Sequence, residues 1–117
     1  MLRVAEAYQK EITEVLHRDV RDPRLNGVSV TQVIFTPDLR LAKVYFTVSG
    51  GRVREKEVLD GFEHSKGFLR RELSQRVRIK FSPDLKFYFD DSVEVNNRMD
   101  ELFRAIEDQR HETSKED

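Results

Sequence analysis

Cysteine is absent from the 117 residues. That absence removes disulfides, thiolate nucleophiles and cysteine-ligated zinc sites together, and a reducing, cytoplasmic setting is expected. No apolar run approaches the roughly 20 residues needed to span a bilayer, and Arg3 and Glu6 stand where a signal segment would be apolar. The chain is expected to be soluble, unexported and without a membrane partner. Catalytic signatures are missing as well. There is no GxxxxGK[ST] phosphate loop, GxSxG elbow or GxGxxG fingerprint, and Ser49-Gly50-Gly51 reads as a turn. His17, His64 and His111 are far apart and have no i, i+4 ligand partner. Asp90 and Asp91 form an adjacent carboxylate pair, but neighbouring residues leaving a strand point in different directions, and capping of the next helix is the better reading. No catalytic residue, metal site, cofactor or enzymatic activity is expected.

The length fits one domain with a single core, which should fold alone, and a monomer is expected. A formal net charge of −1 argues against a nucleic-acid partner until the charge is apportioned. Residues 107–117 (EDQRHETSKED) hold five acids and two bases, so the first 106 residues carry 19 bases and 17 acids. The terminal segment has no apolar residue to bury and is expected to be a disordered, charged tail behind a 1–106 domain. From Lys66 to Lys86 the cations Lys66, Arg70, Arg71, Arg76, Arg78, Lys80 and Lys86 face only Glu72 and Asp84.

Apolar spacing predicts the elements. Leu2, Ala5, Tyr8, Ile12, Val15 and Leu16 mark an amphipathic helix that ends by Asp22-Pro23. The β-branched run 28–35 is a strand, Thr36-Pro37-Asp38-Leu39 a turn, and alternating Ala42, Val44, Phe46 and Val48 a second strand. Leu85, Phe87 and Phe89 make a third, entered through Ser82-Pro83. Asp91 or Ser92 can cap a last helix striped by Val95, Met99, Leu102, Phe103 and Ile106. The order is αββααβα, an α+β fold. Strands one and two should pair antiparallel, and strands two and three parallel through a right-handed crossover, with helices covering one face of a three-stranded mixed sheet.

The crossover carries the most information. Val58, Leu59, Phe62, Leu69, Leu73 and Val77 recur at helical spacing, but the stripe misses its beat at Ser65 and Lys66, and Gly67 follows. A break into two helices is expected at Ser65-Lys66-Gly67, with Gly67 needed for a left-handed or closely packed turn. Free amides of a helix restarting near Phe68 would then favour an anion beside Lys66 and Arg70. The alternative is that these cations are solvated charge. On the open sheet face Lys43, Tyr45, Lys86 and Tyr88 interleave basic and aromatic groups as a single-stranded RNA platform does, although such residues are also ordinary occupants of half-exposed strands. The candidate RNA-binding set is Lys43, Lys66, Gly67, Arg70, Arg71, Arg76, Arg78, Lys80 and Lys86.

Asp22-Pro23-Arg24, Thr36-Pro37-Asp38-Leu39 with Ala42-Lys43-Val44-Tyr45, Gly67-Phe68-Leu69-Arg70-Arg71-Glu72-Leu73, Pro83-Asp84-Leu85-Lys86-Phe87 with Asp90, and Arg98 with Leu102 occur in an order and spacing that resembles the ribosome-binding factor A family. The resemblance runs through all but the last dozen residues. It implies a type II KH-like domain whose GxxG loop is replaced by an Ala-x-Gly helix kink, here Ser65-Lys66-Gly67 with serine for alanine. It also implies binding to the immature small (30S) ribosomal subunit and its 16S rRNA, late subunit maturation with 16S rRNA processing, and a role in cold adaptation. A general single-stranded RNA-binding KH-type protein is the alternative, against which the missing GxxG loop counts.

Overall fold

Alternation along the second strand fixes the two faces of the sheet: Ala42, Val44, Phe46 and Val48 are buried, while Lys43, Tyr45 and Thr47 between them are half-exposed. The computed structural model describes the backbone of residues 2–80 and 82–116, and the side chains of these except residues 2, 93–97 and 110–116. The elements are α1 (Leu2–Arg18), a 3-10 turn (Pro23–Leu25), β1 (Val28–Phe35), β2 (Leu41–Val48), a second 3-10 turn (Gly51–Arg54), α2 (Glu55–Arg76), β3 (Asp84–Phe89) and α3 (Ser92–Glu116). The sheet order is β1-β2-β3, antiparallel between β1 and β2 and parallel between β2 and β3. This is the expected mixed α+β sheet. The short turn at 36–39 allows only antiparallel pairing, whereas α2 supplies the crossover a parallel pair requires.

β1 changes phase midway. A register shift between Val30 and Gln32 leaves Thr31 as the extra residue, so Val28 and Val30, then Val33, face the core. The Gln9 amide of α1 donates to the Val30 and Thr31 carbonyls at 3.3 and 3.1 Å, satisfying backbone acceptors at the bulge. Behind the sheet, α1 contributes Tyr8, Ile12 and Val15, and α2 contributes Val58, Phe62, Leu69 and Leu73. Phe62 stacks on Phe87 with ring centroids 4.2 Å apart and meets Phe46 at 5.2 Å, clamping α2 across β2 and β3. Each such buried side chain contributes about 1.5–3 kcal/mol from removal of apolar surface from water.

Two expectations are corrected. The helix does not break at Ser65-Lys66-Gly67: α2 runs as one helix from Glu55 to Arg76, so no second helix begins near Phe68 and no free N-terminal amides arise there. Ser65 occupies the buried face, 8% exposed, in line with Val58, Phe62, Leu69 and Leu73, so the missed apolar beat is a small polar residue within a continuous buried stripe. Gly67 is not among the positive-φ residues, and a β-carbon there would meet nothing within 4 Å.

The second correction concerns the packing of the last helix. α3 extends to Glu116, and its Met99, Leu102, Phe103 and Ile106 are exposed rather than packed on the sheet; Val95 lies outside the described side chains. The core face of the sheet is already filled by α1 and α2. α3 projects from the body, and the radius of gyration of 19.1 Å exceeds the roughly 13 Å of a compact chain of this size.

Candidate nucleic-acid interface

The cations of the candidate set fall into three environments. At the entrance to β3, the Lys66 ammonium lies 3.1 Å from Asp84 Oδ1. Arg70, one turn on, donates from Nε to the Pro83 carbonyl at 3.0 Å and from Nη2 to the Ser82 carbonyl at 3.1 Å. Arg70 therefore ties α2 to the loop that positions β3. Arg40, which the sequence reading missed, joins Arg70, Ser82 and Asp84 around an open cleft of about 300 Å³. Its signal was its place after the Thr36-Leu39 turn, where its carbonyl accepts the Asp84 amide at 2.8 Å. Asp84 is held below the ordinary carboxylate range, first by the Lys66 hydrogen bond against the opposing effect of burial, with the Leu85 amide and Arg70 assisting.

Arg76 is engaged elsewhere. Its guanidinium lies 3.2 Å from Glu11, 3.7 Å from Glu14 and 3.3 Å from Asp19, with Glu72 at 3.7 Å on its own helix. Glu11, Asp19 and Glu72 raise its pKa, the Glu11 hydrogen bond first, and the cluster fastens the end of α2 to α1. Arg71, Arg78 and Lys80 are exposed. The side chains of Arg71 and Arg78 make no hydrogen bond or ion pair among the described residues.

On the opposite, helix-free face of the sheet, Lys43 and Lys86 are register partners across β2 and β3, and Tyr45 and Tyr88 are the next partners on that face. The two tyrosine rings are stacked. The candidate set therefore spans two surfaces: α2 and its continuation on one side, and the open sheet face on the other. Asp90 and Asp91 have separate partners, and Asp90 is engaged within the fold. Its carboxylate accepts the Thr31 hydroxyl and, at 3.0 Å, the Ser92 amide, so it stitches the bulge to the start of α3 and sits below its ordinary pKa, the Ser92 bonding leading. Asp91 instead meets Arg52 at 3.2 Å.

A cleft of about 370 Å³ separates the loop after α1 from the middle of α2, lined by Asp19, Arg21, Asp22, His64, Ser65 and Phe68 among others. Asp22 organises its rim. Its carboxylate accepts the Arg24 amide at 3.0 Å and pairs with the Arg24 guanidinium at 2.7 Å, capping the Pro23–Leu25 turn. Those bonds, the guanidinium first and the amide next, hold Asp22 at about 2. The loop approaches α2 at Gly61, whose role the sequence reading missed; the signal was a glycine and a serine four residues apart on the apolar face. Among the described residues no three His, Asp or Glu side chains could hold a metal ion, and no helix is long and apolar enough to cross a membrane. His111 lies outside the described side chains.

A family model for ribosome-binding factor A matches residues 1–103. The ribosome-binding factor A of Aromatoleum aromaticum is 42% identical over 117 residues, covering 97% of this chain and 92% of its own. Among solved structures, the crystal structure of ribosome-binding factor A from Thermus thermophilus matches with a TM-score of 0.68 at 22% identity, over 74% of this chain and 92% of that one. A homology model of the Thermus thermophilus factor, as fitted into the cryo-electron microscopy map of its 30S complex, matches with a TM-score of 0.59 at 24% identity. That match covers 72% of this chain and 88% of the other.

Proposed function

The chain belongs to the ribosome-binding factor A family, and from that premise we propose that it is a noncatalytic factor that binds the immature free small (30S) ribosomal subunit in contact with 16S rRNA. Late subunit maturation, efficient 16S rRNA processing and growth in the cold are the processes it would serve, in the cytoplasm and as a monomer. The observation that carries the rRNA contact is the set of exposed cations along and just beyond α2. Arg71 and Arg78 have no carboxylate partner among the described residues and are available to phosphate, whereas Arg76 is held by four carboxylates. Lys66 and Arg70, with Arg40, present positive charge at the β3 entrance, although Asp84 offsets part of it. Phosphate contacts of this kind position a protein on folded RNA through charge and shape.

The test is cosedimentation with immature small subunits over a salt series. Each phosphate contact releases counterions, so affinity should fall steeply as salt rises. Arg71→Glu with Arg78→Glu should weaken binding in a chain that stays folded. Arg76→Ala should instead lower the melting temperature, because it strips the cation from Glu11, Glu14, Asp19 and Glu72. Salt-independent binding, or full affinity in the folded Arg71/Arg78 variant, would overturn the phosphate surface. Accumulation of unprocessed 16S rRNA on depletion of the protein, sharper in the cold, is the expected cellular consequence.

A further inference from the structure

Tyr45 and Tyr88 stand opposite each other on β2 and β3, with ring centroids 5.3 Å apart and planes inclined by 26°. One face of the Tyr88 ring is covered by Tyr45. Its other face is turned away from β2, because β3 is the edge strand of the sheet among the described residues, and Tyr88 is 36% exposed. A two-ring stack that ends in open solvent is a surface a third flat ring can extend.

The surrounding charge selects the ring. Lys86, two residues before Tyr88 on the same face, lies beside Lys43 in register, and neither makes an ion pair among the described residues. The acids at the two ends of β3 are already engaged, Asp84 by Lys66 and Asp90 by Thr31 and Ser92. Two unneutralised ammonium groups beside an exposed aromatic face match a nucleobase followed by its phosphates. In duplex RNA the base faces are covered by their neighbours, so the match is to unpaired nucleotides.

We propose that the open sheet face binds a single-stranded RNA segment, with one base stacked on the free face of Tyr88 and adjoining phosphates at Lys86 and Lys43. This rests on the reading of the chain as an rRNA-binding factor, and it adds a second surface that takes unpaired nucleotides on the side of the sheet away from α2.

Intrinsic fluorescence can report the event. The chain has no tryptophan and three tyrosines, and Tyr8 is only 1% exposed, so quenching by an added oligonucleotide reads Tyr45 and Tyr88. Titration of the full chain with a short adenine-rich single-stranded RNA should quench that emission. Tyr88→Ala should weaken binding roughly 5- to 150-fold, the loss of one base stack. Tyr88→Phe should retain it, and duplex RNA should bind all three proteins alike. Lys43→Gln with Lys86→Gln, which leaves the stack intact, should weaken single-strand binding and flatten its salt dependence.

Wild-type affinity of both the folded Tyr88→Ala protein and the lysine variant for the single strand would overturn the proposal, as would an equal loss on duplex RNA. A loss seen on subunits but not on the naked oligonucleotide would assign the face to a ribosomal protein and also overturn it. Failure of the wild-type chain to cosediment with small subunits would instead refute the function on which the proposal rests, whatever the oligonucleotide shows.

Discussion

Leu25 lies against the backbone of Gly61: a β-carbon at residue 61 would come within 3.0 Å of Leu25 Cδ2 and 3.1 Å of Arg24 Cβ. The Pro23–Leu25 turn is itself held by Asp22 and by Arg54, which donates to the Asn26 and Ser49 carbonyls at 2.7 and 3.1 Å and to that of Arg24 at 3.3 Å. The turn therefore has little room to retreat from α2.

Gly61→Ala and Gly67→Ala should consequently move stability in opposite directions. At residue 61 the overpacking cost of about 1–3 kcal/mol exceeds the gain of about 1 kcal/mol in helix propensity, so a net loss on the order of 1 kcal/mol is expected. At residue 67 the added methyl meets open space in an uninterrupted helix, and the propensity gain of about 1 kcal/mol should appear undiminished. Urea unfolding of the two variants checks both signs. A destabilised Gly67→Ala protein would restore the special turn that the sequence pattern suggested.

Acid should act on the same turn. Asp22 is held at about 2 against an ordinary 3.8. Because the folded value lies below the unfolded one, its contribution is complete above about pH 4 and is lost as pH falls through about 2. Asp22→Asn should therefore melt below the wild type near neutral pH, with the difference closing across that window. Asp38, Asp84 and Asp90 are lowered too and will erode stability in acid in both proteins. A gap that persists undiminished at the acid end would show that the carboxylate acts through shape rather than charge.

The sheet was legible because β-branched runs, two-residue alternation and the intervening helix each constrain strand pairing locally. The bulge at Thr31 was visible only as a change of phase, with valines at 28 and 30 and then at 33, and a fixed alternation overlooks it. Continuity of α2 was hidden because Ser65 is polar yet buried, so hydropathy signals an interruption where packing has none. The charged surface was the least legible part. Arg76 and Arg71 look equivalent in the sequence, and only the arrival of Glu11 and Glu14 from α1 and of Asp19 just after it distinguishes them. Arg70 likewise reads as a free cation until its two carbonyl acceptors at 82 and 83 come into place.

The charged C-terminal segment offers the sharpest separation of stability from binding. Residues 98–109 of α3 are exposed without exception, so nothing described there is buried against the core. A chain ending at Ile106 should keep its circular dichroism for the α1–β3 body and melt with unchanged cooperativity at an unchanged temperature. The deletion removes five acids and two bases, a net three negative charges. Those charges repel any polyanion at long range, and the repulsion is screened within about 10 Å at 0.1 M salt. The truncated protein should bind unrelated RNA more tightly than the full chain at low salt, with the difference vanishing as salt rises. Equal binding of unrelated RNA at low salt would rule out the segment as an electrostatic brake, and a fall in melting temperature would show that it packs against the body.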